Sequence, residues 1–269
     1  MEKTEKRRPL MDFRLALCVL GSGSKGNAIY ITDGITSILV DSGLSGIEIE
    51  RRLKSAGISP RILDAIVVTH EHADHISGVG VLSRRLSLPV YASKATACRS
   101  AELTGKLHKI VHFECGSEFA VNTLTLRPFS LPHDAEDPAG VIVSRNGRKI
   151  GIATDMGTVT SLSKEHLKGC SLLVLEANHD LKMLEEGPYP WSLKQRIRSR
   201  TGHLSNEQAR DLLKELRHPC LEHVVLAHLS ETNNTPQKAY REICGAVNSR
   251  HTSLHVAEQN RSGGLLFLK

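Results

Sequence analysis

Three histidines and an aspartate fall within positions 70 to 75, in the run Thr69-His-Glu-His-Ala-Asp-His75, and this run restricts the chain more than any other. Imidazoles and carboxylates packed so closely are cation ligands. His70 and His72, one residue apart, point the same way where a chain leaves an extended strand, while Asp74 and His75 just beyond can turn toward a second ion. Four ligands in so short a run suggest two metals. The apolar, β-branched stretch 65–68 directly before them reads as a strand covered on both faces. The ligands therefore sit at a C-terminal strand end, where α/β folds place their sites.

The surrounding pattern has two blocks. Strands are expected at 15–20, 28–32 and 37–41, forming an antiparallel meander, then a helix at 47–56 stopped by Gly57. A helix at 75–86, a strand at 90–92 and a helix at 94–103 follow. The second block opens with strands in 119–129 and a hairpin of 141–144 with 149–153 through Asn146-Gly147. Helices at 163–168, 193–199, 206–217 and 237–247 then alternate with strands at 172–176 and 224–227, and Ser205-x-x-Gln208 reads as a capping box. Two such blocks pack most simply as an α/β four-layer αββα sandwich. No linker or repeat divides the 269 residues, so one domain over 1–269 is expected, with 1–12 as a charged, disordered N-terminal stub.

If strand ends converge on one edge of such a sandwich, further ligands should follow other strands. His133, Asp155 and His228 fit that description, in Ser-Leu-Pro-His, Gly-Ile-Ala-Thr-Asp and Leu-Ala-His-Leu-Ser.

In order along the chain these motifs resemble those of the metallo-β-lactamase-fold hydrolases. The loop Gly21-Ser-Gly-Ser-Lys-Gly-Asn27, the Leu-Pro-His-Asp-Ala-Glu-Asp-Pro-Ala-Gly block at 131–140, Glu176-Ala-Asn-His-Asp180, Gly202-His-Leu-Ser-Asn206 and Leu226-Ala-His-Leu-Ser230 further resemble the YycJ (WalJ) subfamily. That resemblance implies a dinuclear-metal nuclease working from 5′ ends of duplex DNA toward the 3′ end. It implies that His70, His72 and His133 hold one ion and Asp74, His75 and His228 the other, with Asp155 bridging. A nitrogen and oxygen donor set without thiolate suits two divalent ions of zinc, manganese or iron. Such ions would generate a bridging hydroxide to attack phosphorus, and Asp74 is placed to bond the attacking water. His203 resembles a histidine of ribonuclease Z-type relatives and is expected to act as a proton donor or phosphate contact. His179 is a further candidate, as an extra ligand or a partner of a ligand.

Substrate contacts are expected from Ser22, Ser24, Lys25 and Asn27 in the glycine-rich loop, and from the basic stretch Lys194, Arg196, Arg198 and Arg200. A net charge of +6 and a pI near 9.0 favour a polyanion, so duplex DNA with free ends is the expected partner, although 4% aromatic content leaves few rings for stacking bases. No haem or nucleotide cofactor is called for. No run approaches the roughly 18 to 20 apolar residues of a membrane span, and 15–20 is too short for a signal-peptide core, so a cytoplasmic protein is expected. Six cysteines without a C-x-x-C pair read as buried reduced thiols.

Other readings share parts of the pattern. Dioxygen-reducing diiron members carry Glu where His72 stands, and class B1 and B2 lactamases carry Cys where Asp155 stands. A β-CASP RNA-processing insertion does not fit between Asp155 and His228. A glyoxalase II-like thioester or lactone hydrolase shares all seven ligands and is the main alternative, ahead of an RNA nuclease. A non-catalytic metal-sensing regulator is disfavoured by the intact ligand set.

Overall fold

The central strands of both sheets are buried at most of their positions, so alternation decides which of three cores each side chain enters. The computed structural model describes residues 14–269, and the stub read at 1–12 lies outside them. In β1 (Ala16–Gly21), Leu17 and Val19 face a core between two sheets, whereas Cys18 and Leu20 face a core beneath helices.

The first sheet grows from β1, β2 (Ala28–Thr32) and β3 (Ser37–Val40), all antiparallel, as the sequence implies. Helix α1 (Gly46–Ser55), capped by Ser45, crosses to β4 (Ala65–Val67), which lies parallel to β3. Short α2 (Ala73–Ile76) and α3 (Val79–Leu86) lead to β5 (Pro89–Ser93), and α4 (Lys94–Thr104) to β6 (Lys109–Phe113).

The second sheet repeats this order. Antiparallel β7 (Phe119–Val121), β8 (Leu124–Ser130), β9 (Ala139–Arg145) and β10 (Arg148–Ala153) precede α5 (Ser161–Leu167) and parallel β11 (Leu172–Glu176). Then come α6 (Leu181–Glu186), α7 (Trp191–Ile197), α8 (Asn206–Leu216), β12 (His223–Ala227), α9 (Pro236–Ile243) and β13 (Ser253–Val256). Finally β14 (Leu266–Phe267) returns to the first sheet and pairs with β1.

Ile31, Val40 and Val67 meet Val141, Ile152 and Val174 between the sheets. Ile49, Leu53 and Leu82 cover one outer face, and Leu167, Leu212 and Ile243 the other. This is the four-layer αββα sandwich. Ser205 and Gln208 form the expected capping box on α8.

Three expectations need correction. The helix read over 75–86 is broken at Ser77–Gly78, where the 42–44 loop crosses so closely that a Cβ on Gly78 would lie 2.2 Å from the Leu44 carbonyl oxygen. Strands β6, β13 and β14 and helix α6 went unread, since edge strands are half-exposed and interrupted by polar residues. Of the six free cysteines only Cys18 and Cys170 are buried, while Cys98, Cys220 and Cys244 are exposed. Among the described residues no helix is long and apolar enough to cross a membrane.

Candidate metal centre

Side chains from both sheets meet because β3, β4, β8, β10, β11 and β12 all deliver their C-terminal ends to one edge. Asp41, just past β3, organises the histidine run. Its two oxygens accept the Thr69 N–H and hydroxyl, each at 2.8 Å, and Oδ2 also accepts His75 Nδ1 at 2.8 Å. Tethered this way, His75 turns Nε2 inward. Asn27 ties the glycine-rich loop to the same run, its N–H donating to the Asp74 carbonyl at 2.7 Å. Gly43 makes this approach possible, since a Cβ there would lie 1.5 Å from that carbonyl oxygen.

On the far side Glu176 plays the part of Asp41. Its Oε1 accepts His203 Nδ1 at 2.8 Å and His228 Nδ1 at 2.9 Å, and Oε2 accepts the Met156 and Leu204 N–H groups. A carboxylate bonded to one ring nitrogen fixes the tautomer and leaves the other as a donor to a cation. Sequence reading passed over both Asp41 and Glu176. Each carried the strand-end signal that singled out Asp155.

The seven expected ligands fall into two groups of facing atoms. His70 Nε2 lies 3.1 Å from His72 Nδ1, and His133 Nε2 lies 3.3 Å from that same atom. Tetrahedral nitrogen ligands at about 2.0–2.1 Å from one ion stand about 3.3 Å apart, so this spacing suits a shared cation. In the second group His75 Nε2 lies 3.5 Å from Asp74 Oδ2 and 3.3 Å from Asp155 Oδ2, and His228 Nε2 lies 3.6 Å from Asp74 Oδ2. Asp155 stands between, with Oδ1 3.9 Å from His133 Nε2. Asp155 Oδ2 and His228 Nε2 are buried without a hydrogen-bond partner, and an unpaired buried polar atom costs roughly 1–3 kcal/mol. Divalent cations held by these residues would satisfy both atoms.

Charge tells the same story. Burial pulls His70 and His133 below the ordinary imidazole pKa, leaving neutral rings ready to coordinate. Burial also pulls on His75 and His228, but Asp155, with Asp41 and Asp74 for the first and Asp74 and Glu176 for the second, lifts both well above it. Burial raises Asp155 while His228 and His75 together hold it well below the carboxylate range. The carboxylates thus demand positive charge, which protons supply when metal does not.

Residues 36–229 match the Beta-lactamase superfamily domain. The chain is 39% identical over 232 residues to Exodeoxyribonuclease YycJ of Bacillus anthracis, covering 85% of this chain and 88% of that protein. The chain belongs to the metallo-β-lactamase superfamily. Within it, similarity to Exodeoxyribonuclease WalJ of Streptococcus pneumoniae is 35% over 226 residues, or 82% of this chain and 84% of the relative. The metallo-β-lactamase fold protein YhfI of Bacillus subtilis superposes with a TM-score of 0.72 at 18% identity, covering 93% and 99% of the two chains.

A cleft of about 260 Å³ opens over the donor atoms between the glycine-rich loop and α7. His203 and Ser24 line it. Ser22 and Asn27 instead face inward: Ser22 Oγ accepts the His228 N–H at 2.7 Å, while Asn27 bonds Gly23, Asp74 and His75. Those two position ligands. Lys25 pairs with Glu231 at 2.6 Å. Of the basic stretch Arg196 alone lines the cleft, bound to Asp134 at 2.5 Å, whereas Lys194 donates to the Glu185 carbonyl and Arg198 and Arg200 lie outside. His179 joins none of the four candidate ligand groups, which are drawn from the seven expected ligands with Glu176 and His203. It is buried with Nδ1 unpartnered and its pKa, pulled down by burial, falls to about 4.

Proposed function

We propose that the chain is a dinuclear-metal phosphodiesterase acting on DNA, an exonuclease that works inward from duplex ends with 5′-to-3′ polarity. The observation that carries this reading is His203, an imidazole outside the seven-ligand set yet on the cleft wall, held by Glu176. The exodeoxyribonuclease relatives support it. His70, His72, His133 and Asp155 would hold one ion, and Asp74, His75, His228 and Asp155 the other. Bound zinc, manganese or iron would supply a hydroxide nucleophile at neutral pH and neutralise charge on an attacked phosphorus.

The protein's own groups supply the remainder. Asp41 and Glu176 lock ring orientation, Asp74 would accept a hydrogen bond from the attacking water, and Arg196, on the cleft wall against Asp134, would meet a phosphate oxygen. His203, whose pKa Glu176 lifts against the pull of burial, carries the proton that the leaving sugar oxygen takes as the P–O bond breaks. A thioester releases a far less basic thiolate that needs no such donor, which is why the thioester reading ranks second.

Purified protein with manganese should shorten linear duplex DNA more readily than closed circular DNA. That activity should vanish in chelator and in His70→Ala and Asp74→Ala variants. Thioester cleavage with no action on DNA would overturn the reading.

A further inference from the structure

The arm between β11 and α8 is built unlike the rest of the molecule, because α7 buries none of its side chains. Seven residues cannot hold a helix together in water on their own. The arm is fastened at its edges instead, by buried Leu184, by Lys194 on the Glu185 carbonyl at 2.7 Å, by Arg196 on Asp134, and by the His203 N–H on the Ile197 carbonyl at 2.9 Å. What faces the cleft is one stripe of the helix, Leu193, Arg196 and Ile197, preceded by Tyr189. The chain's single tryptophan, Trp191, stands at the start of α7 and is 66% exposed. Arg198 and Arg200 make no ion pair or side-chain hydrogen bond among the described residues.

So the arm brings Tyr189 to the metal cleft, while Trp191 and Arg198, about half a helical turn from the stripe that faces it, stand exposed on the arm's outer face. Rings that stack on base faces beside cations that follow phosphates are how proteins hold an unpaired nucleic-acid strand. The reacting phosphodiester must also reach ions that buried side chains would hold, Asp155 among them at only 3% exposed, and that depth favours a strand already parted from its complement.

We propose that this arm is a nucleobase platform for an unpaired strand end. Tyr189 takes the base beside the bond that is cut, and Trp191, on the outer face of the arm, takes a base of the strand that leads away from the cleft. The inference rests on the nuclease reading for its substrate class, and it adds that the substrate is engaged as a single strand, through its bases as well as its phosphates.

Trp191 gives the direct test, since it alone supplies the protein's tryptophan fluorescence. The metal-loaded full-length protein is titrated with a cleavage-resistant phosphorothioate oligothymidylate, and with an abasic strand of equal length and charge. The thymidylate should quench Trp191, and the abasic strand should bind about 10-fold more weakly. Tyr189→Leu should lose a similar factor and Tyr189→Phe should recover it, a pattern that a loss of folding cannot produce. In degradation assays, ends frayed by mismatches should be cut faster than G·C-clamped ends, with that preference reduced in Trp191→Leu. Equal binding and quenching by both strands would overturn the platform, as would quenching by an S-acyl glutathione thioester and neither strand. DNA degradation without base dependence would remove the platform and leave the nuclease reading intact. Base-dependent binding without cleavage would do the reverse.

Discussion

His203 and His228 meet at one atom, their Nδ1 nitrogens lying 2.8 and 2.9 Å from Glu176 Oε1. The other oxygen of that carboxylate accepts two backbone N–H groups, at 2.9 and 3.0 Å, so Glu176 is pinned in place. One buried charge therefore positions a proposed ligand and the proposed proton donor. Glu176→Gln should keep the shape and lower phosphodiesterase activity by roughly 10–100-fold. It should also move the alkaline limb of the kcat profile to lower pH. Burial pulls the His203 pKa down and Glu176 lifts it above the ordinary value, and a donor works only while protonated. Without the lifting charge, loss of activity with rising pH sets in earlier. Superimposable pH profiles for the two proteins would contradict this role.

Asp155 raises a second question, because its backbone is left-handed, with φ of 58°, as are those of Asp41 at 61° and His228 at 55°. Three site residues thus occupy a conformation that side chains adopt uncommonly, and Asn tolerates it as Asp does. Asp155→Asn should preserve the local backbone while removing the charge that joins the two ligand groups. Calorimetry with and without manganese or zinc separates the effects. Wild type should gain about 2.7 kcal/mol at one hundred times Kd, whereas the variant should show a much smaller metal-dependent rise in Tm. An equal rise would mean that Asp155 does not ligate.

What the sequence made visible was local. His70 to His75 form a contiguous run, and His133, Asp155 and His228 each follow a recognisable apolar strand. Asp41 follows a strand too, and Glu176 ends one, but their importance depends on partners 34 and 52 residues away. In the 176–180 block the strand-end signal points to His179, whereas the structure brings Glu176 to the site. The basic stretch read as a phosphate contact likewise divides in space, with Arg196 at the cleft and Lys194 holding the arm together. Hydrophobic period and turn residues reveal layers. They do not reveal that a loop crossing at Gly78 breaks a helix, or that β14 returns to the first sheet.

Gly43 shows how backbone proximity serves the site. Gly43→Ala puts a Cβ where the Asp74 carbonyl now stands, so the ligand run must shift, at a cost of about 1–3 kcal/mol in stability. Metal-dependent stabilisation should fall with it. Gly245→Ala, where nothing lies within 4 Å of the added carbon, is the matched control and should change stability by less than about 1 kcal/mol. Paired denaturant melts with and without metal make the comparison, and equal behaviour of the two variants would show that the loop approach is unimportant.

The cysteines give an independent check on the layer assignment. Burial pushes the Cys18 thiol up to about 11 and the Cys170 thiol to about 12, and both side chains lie beneath helices on opposite outer faces of the sandwich. Only thiolates alkylate at useful rates, so near pH 8 these two should be inert in the native protein. Cys98, Cys220 and Cys244 are exposed and should react first. Timed iodoacetamide labelling followed by peptide mass spectrometry reads this order directly. Denaturant should release Cys18 and Cys170 only as the protein unfolds, because each is sealed by a helical layer that must lift before reagent enters. Native-state labelling of Cys170 at the rate of Cys220 would mean that the helices over the second sheet do not close that face.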